Sequence, residues 1–241
     1  MRFDVITLFP ELFAPFLSTG VTRRAYESGQ VQVRLWNPRD YSEGSYRRVD
    51  DRPFGGGPGM VMMAEPLTLC LDAIRAERAA TESAVVPVVL FSPIGQPLKH
   101  SVVEGWSASA GAVLLCGRYE GVDQRLLEAE EVEEVSLGDF ILSGGEAAAI
   151  ALLDAVVRLL PGVVGKTESL ENESFETGLL EYPHYTRPDT WQGREVPEVL
   201  KSGHHAKVAA WRQAQAEEIT RIRRPDLWAR YAKAKNKSAP E

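Results

Sequence analysis

The chain has 241 residues, of which 44% are hydrophobic and 25% are charged, and its formal net charge at neutral pH is −7. This length suits one large domain or one domain with a small satellite, and the composition is that of an ordinary globular protein. No apolar run approaches a membrane span, and the first apolar run contains an acid, Asp4, which indicates a strand and not a signal peptide. The cysteines, Cys70 and Cys116, lack disulfide-framework or zinc-type spacing, so we expect reduced, buried thiols in a cytoplasmic protein.

The charge is distributed unevenly along the chain. Residues 201–241 contain ten Lys/Arg and four Asp/Glu, so this end carries +6 and the first 200 residues carry −13. An acidic body with a basic end is typical of a protein that meets a polyanion at that end. A solvated helical face would give the same pattern, and charge alone does not decide between the two.

Short apolar runs alternate with helical patterns through the first two thirds of the chain. The predicted strands are residues 3–8, 31–36, 86–91, 113–116 and 134–137. The predicted helices are residues 10–17, 65–80, 98–107, 122–130 and the strongly apolar 145–160. Strands separated by helices predict an α/β fold with a mostly parallel sheet that is covered on both faces.

The composition changes after the apolar helix. Residues 166–177 have almost no apolar content, and we expect residues 163–178 to form a flexible linker or lid. The next segment is too rich in proline for a regular element, and helices are predicted at 204–222 and 225–233. The predicted organisation is an α/β domain over residues 1–162, the linker over 163–178 and a small all-α domain over 179–241.

Three glycine-rich loops are candidates for a ligand site: Gly55-Gly56-Gly57-Pro58-Gly59, Gly117-Arg118-Tyr119-Glu120-Gly121 and Ser143-Gly144-Gly145-Glu146. None has the P-loop or Rossmann spacing, so kinases and nicotinamide dehydrogenases are poor candidates. The second and third loops follow predicted strands, and ligands in open parallel sheets lie beyond the carboxyl ends of strands. Glycines there let backbone groups approach a flat nucleoside closely. Each loop alone is better explained as a tight turn.

Several motifs together resemble one protein family. They are Asp51-Arg52-Pro53-Phe54-Gly55-Gly56-Gly57-Pro58-Gly59-Met60, Gly117-Arg118-Tyr119-Glu120-Gly121-Val122-Asp123, Gly138-Asp139-Phe140-Ile141-Leu142-Ser143-Gly144-Gly145-Glu146, Pro183-His184-Tyr185-Thr186-Arg187-Pro188 and Arg223-Arg224-Pro225-Asp226-Leu227. In these motifs the chain is similar to the bacterial tRNA (guanine-N1-)-methyltransferases, the TrmD family of the SPOUT class. The motifs are long, correctly ordered and spread over nearly the whole chain, which makes the resemblance highly specific.

The resemblance implies a homodimer in which S-adenosylmethionine is bound in a deep trefoil knot of backbone. Threaded chains are rare, so physical patterning would not have predicted the knot. Three loops are implied to bind the cofactor, and the 55–59 loop is implied to lie on the substrate and dimer side. The first cofactor loop contains Leu90, Phe91 and Ser92. The second cofactor loop, which includes the glycine-rich loop 117–121, contains Gly117, Tyr119, Glu120 and Gly121. The third cofactor loop, which includes the glycine-rich loop 143–146, contains Leu137, Phe140, Leu142, Gly144 and Gly145.

The reaction implied by the resemblance is methyl transfer to N1 of the guanosine immediately 3′ of the tRNA anticodon, position 37. N1 carries a proton at neutral pH, so a carboxylate is needed to remove it while a cation stabilises the charge that builds on O6. The family's arginine corresponds to Arg158. Its aspartate corresponds to Glu173, which is one methylene longer, and Glu171 is the alternative base. The linker is implied to order over one subunit's pocket, with the arginine and the carboxylate supplied by the partner.

The resemblance also implies a dependence on magnesium, for which Glu120 and Glu173 offer carboxylates without a ligand set being assigned. In the basic end, His205 and Trp211 are candidates for stacking on bases, and Trp228 and Leu227 are assigned to packing. The candidate phosphate contacts there are Lys201, Lys207, Arg212, Arg221, Arg223, Arg224 and Arg230. His184 and Tyr185 are either RNA contacts or parts of a structural turn.

Two alternatives stay open. One is a SPOUT enzyme that methylates a different RNA or a ribose, against which the motifs at residues 183–188 and 223–227 count. The other is a non-catalytic RNA-binding module, which the exchange of aspartate for Glu173 keeps open. An assay of methyl transfer to tRNA transcripts with guanosine or adenosine after the anticodon distinguishes these two alternatives from a tRNA (guanine-N1-)-methyltransferase.

Overall fold

The computed structural model describes residues 1–165 and 173–237, and the chain divides into two compact units, Met1–Gly165 and Lys166–Glu241. Residues 166–172, which include the alternative base Glu171 and much of the predicted linker, lie outside the described residues. Among the helices that the structure describes, none is long and apolar enough to span a bilayer.

The first unit is an α/β fold around one parallel sheet. Its strands are β1 (Arg2–Ile6), β2 (Gln32–Trp36), β3 (Asp50–Asp51), β4 (Val61–Met62), β5 (Val88–Pro97), β6 (Gly111–Leu115) and β7 (Glu133–Ser136). Its helices are α1 (Ala14–Ser18), α2 (Arg23–Glu27), α3 (Ala64–Ala80), α4 (His100–Ser107), α5 (Gln124–Ala129) and α6 (Glu146–Val157), with 3₁₀ turns at Pro10–Leu12 and Pro38–Tyr41. The five long strands pair in parallel in the order β2-β1-β6-β5-β7, which confirms the predicted mostly parallel sheet.

The predicted strands and helices of this unit are confirmed, with small shifts at their ends. The predicted helix at 10–17 is divided into a 3₁₀ turn and α1, because Pro15 has no backbone N–H to continue the first turn. Strand β5 is longer than predicted, and its pairing with β7 is interrupted in the middle of the strand. Both Phe91 and Gln96 pair with Val135, so residues 92–95 loop out of the strand between two contacts with the same partner.

Helices cover both faces of the sheet. Successive residues of a strand point to opposite faces, so Phe3 and Val5 of β1 lie in one apolar cluster and Ile6 lies in the other. The first cluster includes Leu152 and Val156 of α6, and the second contains residues of α3. The predicted covering of both faces is therefore confirmed.

Asp4 of β1 is fully buried and fully paired. Its carboxylate accepts hydrogen bonds from Arg2 Nη2 at 2.7 Å, Arg78 Nη1 at 2.7 Å and Trp36 Nε1 at 2.9 Å. Buried charges are stable only with such partners. The acid in the first apolar run thus ties β1 to β2 and α3.

The second unit contains α7 (Glu198–Lys201), α8 (His205–Arg223) and α9 (Pro225–Lys237), preceded by an antiparallel hairpin of β8 (Thr190–Trp191) and β9 (Arg194–Glu195). The two long helices are confirmed, but the prediction of an all-α domain is wrong because of the hairpin. Its two-residue turn has Gln192 at φ 51° and Gly193 at φ 75°, the twist that favours tight hairpins. Two-residue strands are too short to give an alternating pattern in the sequence.

Candidate active site

A pocket of about 360 Å³ opens in the first unit at the carboxyl ends of β6 and β7 and beside residues 90–93 of β5. This volume lies in the usual range for small-molecule sites. The pocket is lined by every residue assigned to the cofactor from sequence: Leu90, Phe91, Ser92, Gly117, Tyr119, Glu120, Gly121, Leu137, Phe140, Leu142, Gly144 and Gly145. The structure therefore brings the three predicted loops together at one edge of the sheet.

The second and third loops meet backbone to backbone. The amide N–H of Gly145 donates to the carbonyl of Gly117 at 2.9 Å. A Cβ added at Gly145 would lie 2.7 Å from Cys116 Cα and 3.0 Å from the nitrogen of Gly117. Because neither atom belongs to a flexible side chain, only glycine fits there. The third loop can close on the second only with this residue.

A buried ion pair links the same two loops. Glu146, 2% exposed at the start of α6, accepts hydrogen bonds from Thr7 Oγ1 at 2.9 Å and Arg118 Nε at 3.2 Å. Arg118 Nη2 lies 2.9 Å from Glu146 Oε2 as an ion pair outside hydrogen-bond geometry. The guanidinium also donates from Nη1 to the carbonyl of Ser143 at 3.1 Å and lies 4.4 Å over the ring of Phe9. Arg118 and Glu146 were noticed in the sequence only as parts of motifs.

The 55–59 glycine loop leads into a segment that is bonded to the second loop. The N–H of Glu120 donates to the carbonyl of Met60 at 2.9 Å, and the N–H of Met62 donates to the carbonyl of Gly121 at 2.9 Å. Gly59 has φ +81°, and a Cβ there would lie 2.3 Å from Glu120 Oε1. The loop thus ends against a carboxylate of the pocket wall.

Two titratable groups of the pocket region stay protonated at neutral pH. Burial raises the pKa of the Cys116 thiol well above its usual value, and the Glu146 carboxylate adds to the effect. Burial also raises the pKa of Tyr119, with a further contribution from Asp50. A buried neutral thiol is a poor nucleophile, so Cys116 is not a reactive centre.

The two predicted catalytic residues belong to different units. Arg158 is half-buried and follows the last residue of α6 in the first unit. Glu173 is half-buried in the second unit, where it lines a groove of about 260 Å³ with Leu180 and Arg212. Each of the two makes polar or electrostatic contacts of its own.

The seven candidate phosphate contacts of the basic end fall into two groups. Four of them are paired with neighbouring carboxylates: Lys201 with Glu198, Arg221 with Glu218, and Arg224 and Arg230 with Asp226. Within residues 173–237, no ion pair is formed by Lys207, Arg212 or Arg223.

The aromatic residues of this end also differ in their surroundings. Trp228 packs on Tyr231 with 5.8 Å between ring centroids, which agrees with its assignment to packing. His205 is exposed at the first residue of α8. Trp211 is half-buried, and its ring centroid lies 6.2 Å from that of Tyr185. His184 Nε2 lies 2.8 Å from Glu181 Oε1.

Comparison with known proteins gives a consistent result over nearly the whole chain. A family model described as tRNA (Guanine-1)-methyltransferase TrmD matches residues 1–230. A tRNA (guanine-N(1)-)-methyltransferase of Polaromonas sp. is 65% identical over 230 residues, which cover 94% of this chain and 89% of the relative. Proteins of the same name from Paracidovorax citrulli and Burkholderia mallei are 64% and 52% identical, over 94% and 98% of this chain and 90% and 89% of the relatives.

Proposed function

The chain belongs to the tRNA (guanine-1)-methyltransferase TrmD family, and on this premise we propose that it transfers a methyl group from S-adenosylmethionine to N1 of guanosine 37, immediately 3′ of the tRNA anticodon. The observation that carries the proposal is the pocket at the ends of β6 and β7 and beside residues 90–93 of β5, which joins all three predicted cofactor loops. A nucleoside site at the strand ends of a parallel sheet is physically expected.

The pocket suits the methyl donor in shape and chemistry. Its walls combine apolar side chains, among them Leu90, Leu137 and Ala148, with the backbone of glycine-rich loops that offer amide and carbonyl groups. A flat adenine ring needs both kinds of surface. When bound, S-adenosylmethionine supplies an electrophilic methyl group on a sulfonium. The chain's own contribution is to hold the donor and to manage the proton and the charge of the guanine.

Two side chains are assigned to the guanine. The carboxylate of Glu173 accepts the proton of N1 as the methyl group is transferred, and the guanidinium of Arg158 stabilises the negative charge on O6. Glutamate is one methylene longer than the family's aspartate, and misplacement of a base by ~1 Å costs about 100-fold in rate. Restoring the shorter side chain is therefore an informative change.

We propose further that two protomers form the active enzyme, each pocket being completed by Arg158 and Glu173 of the other protomer. Exposed apolar side chains of the pocket lining support this, because Phe140 is 55% and Ile141 80% exposed in the single chain. Ile94, which follows the lining residue Pro93, is 83% exposed. The family's trefoil knot is part of the same proposal.

The second unit is proposed to bind the tRNA through the cations of α8 and α9. The reaction is assigned to the cytoplasm, because tRNA is found there and because free thiols such as those of Cys70 and Cys116 stay reduced there. Magnesium is included in the proposal. Glu120 is the acid that lines the pocket among the described residues, and magnesium is commonly bound by one or two carboxylates together with waters.

The test is methyl transfer from labelled cofactor to tRNA transcripts that carry guanosine or adenosine at position 37. Labelling only of the guanosine transcript supports the proposal. Labelling of both transcripts indicates an enzyme for another RNA position, and cofactor binding without transfer indicates a non-catalytic module.

The assigned base is tested in the same assay. We expect Glu173→Gln to abolish transfer while the dissociation constant of the cofactor is unchanged, and Glu173→Asp to transfer at an equal or higher rate. Near-normal turnover by Glu173→Gln would remove Glu173 from the mechanism.

A further inference from the structure

The second unit contains a groove of its own. It has a volume of about 500 Å³ and lies between the proline-rich segment and α8. Its lining includes the aromatic residues Tyr182, His184, Tyr185 and Trp211 and the cations Arg187 and Arg212. Val196, Leu200 and Val208 form its apolar part.

The aromatic rings of the groove are incompletely packed. Tyr185 is 49% exposed although its ring centroid lies 6.2 Å from that of Trp211, and the two rings are inclined at 58°. The rings of Tyr182 and His184 lie 5.0 Å apart on the same lining. An inclined, half-open pair leaves the ring faces available, and such faces bind bases by stacking.

The charge of the groove also suits a nucleotide. Arg212 lies 4.8 Å over the ring of Tyr182 and forms no ion pair within residues 173–237, whereas Lys201, Arg221 and Arg224 are each paired with a carboxylate. A guanidinium that lies over a ring without an ion-pair partner keeps its N–H donors for a phosphate. The groove also contains one carboxylate, Asp189, which can accept hydrogen bonds from the N–H groups of a base edge.

We propose that this groove binds one unpaired nucleotide of the tRNA, distinct from the guanosine that is methylated, with its base on the Tyr185 and Trp211 rings and its phosphate on Arg212. The inference rests on the proposed function, because it takes tRNA as the partner. A base inside a duplex is stacked on both sides and cannot enter the groove, so the nucleotide is single-stranded. The groove therefore recognises the tRNA at an unpaired position.

The first experiment compares Tyr185→Ala and Tyr185→Phe in the full chain. Stacking on an aromatic side chain changes binding by about 5- to 150-fold per base. We expect Tyr185→Ala to raise the tRNA concentration for half-maximal single-turnover transfer by this factor, with the rate at saturation and the cofactor dissociation constant little changed. Tyr185→Phe keeps the ring and is expected to bind as the wild type does.

A matched control tests whether any exposed aromatic ring of this unit would give the same result. Trp191 in β8 is 58% exposed and does not line the groove, so Trp191→Ala is expected to leave tRNA binding unchanged. Equal weakening by Trp191→Ala, or unchanged binding by Tyr185→Ala, would overturn the assignment. The melting temperature of each variant shows whether it is folded.

The second experiment identifies the ligand directly. Transcripts in which 4-thiouridine replaces uridine are irradiated with the wild-type protein, and the cross-linked peptide is mapped. We expect an unpaired nucleotide to be joined to residues 182–189 or to the α8 peptide that contains Trp211, and Tyr185→Ala to reduce the yield. Cross-links confined to paired nucleotides or to the first unit would refute the proposal. A wild-type protein that cross-links through the groove but transfers no methyl group would contradict the proposed function and leave the groove assignment standing.

Discussion

Replacing Glu146 by glutamine tests whether the buried ion pair holds the cofactor loops together. Glutamine keeps the shape of the side chain but removes its charge, and it leaves the guanidinium of Arg118 without the carboxylate at 2.9 Å. Breaking a buried pair from one side costs ~3–5 kcal/mol. The Arg118 side chain is 20% exposed and keeps its bond to the carbonyl of Ser143, so we expect a loss of about 2–4 kcal/mol.

The expected effects are a lower melting temperature and weaker cofactor binding. For a chain of this size, ~1 kcal/mol changes the melting temperature by about 2–4 °C, so Glu146→Gln is expected to lower it by roughly 5–15 °C. The third loop then keeps its backbone contact with the second and the hydrogen bond from Arg118 to Ser143 but loses the ion pair, so more of its ordering must be driven by the ligand. We therefore expect the cofactor dissociation constant to rise at least ~10-fold, measured by calorimetry.

Two comparisons separate the ion pair from a general loss of stability. In the double variant Glu146→Gln with Arg118→Met the unpaired charge is absent, so part of the lost stability is expected to return. Glu218→Gln breaks the pair with Arg221, in which both side chains are about half exposed, and no measurable change in melting temperature is expected. Unchanged melting and unchanged cofactor binding in Glu146→Gln would refute the reasoning.

Three further outcomes are expected. Gly145→Ala would place a Cβ 2.7 Å from the Cα of Cys116. We therefore expect this variant to lose about 1–3 kcal/mol of unfolding free energy in denaturant and to lose cofactor binding. Gly105→Ala, with open space around the added Cβ, should be neutral or stabilising. Both cysteines are buried and burial raises the pKa of each thiol, so neither should react with a thiol reagent before the protein unfolds; fast labelling of either one contradicts this. The hydrogen bond from Lys235 lowers the pKa of Glu217, so the stability that Glu217 adds is complete above its unfolded pKa of ~4.3 and is lost as the pH falls through the lower folded value. The melting temperatures of wild type and Glu217→Gln should therefore differ at pH 7 and converge in acid, and a constant difference would be the contrary result.

The sequence predicts most of this architecture because the apolar periodicity of strands and helices is strong in the first unit. It fails where an element is short or irregular. The sequence at the end of β5 predicts a loop, because Ser92, Pro93 and Gly95 are typical of turns. In the structure, residues 96 and 97 nevertheless pair with β7. The hairpin of β8 and β9 is too short to show alternation. Tertiary contacts decide these cases, and local patterns do not contain them.

Some parts of the candidate site could be predicted from physical patterns in the sequence, and others only from the resemblance. The rule that ligands lie at strand ends placed the second and third loops together, and the resemblance supplied the other cofactor residues that were predicted. Further lining residues such as Val122, Val135 and Ala148 were assigned by neither. The pairing of Arg118 with Glu146 could not be predicted, because the two are separated along the chain and an acid in the first turn of a helix usually faces solvent. Its burial against Thr7 is visible only once β1 and α6 are packed. The roles of Glu173 and Arg158 rest on the resemblance and the proposed reaction.

The position of β1 between β2 and β6 has a consequence for how the chain folds. One neighbour, β2, follows within the next thirty residues or so, but the other begins at Gly111, which pairs with Arg2. Contacts between residues so distant in sequence form slowly, because a long loop must close first. Until β6 has been synthesised, the apolar edge of β1 is open to other chains. Fragments that end before residue 111 are therefore expected to aggregate during expression, and fragments that include β6 but end before β7 are expected to aggregate less.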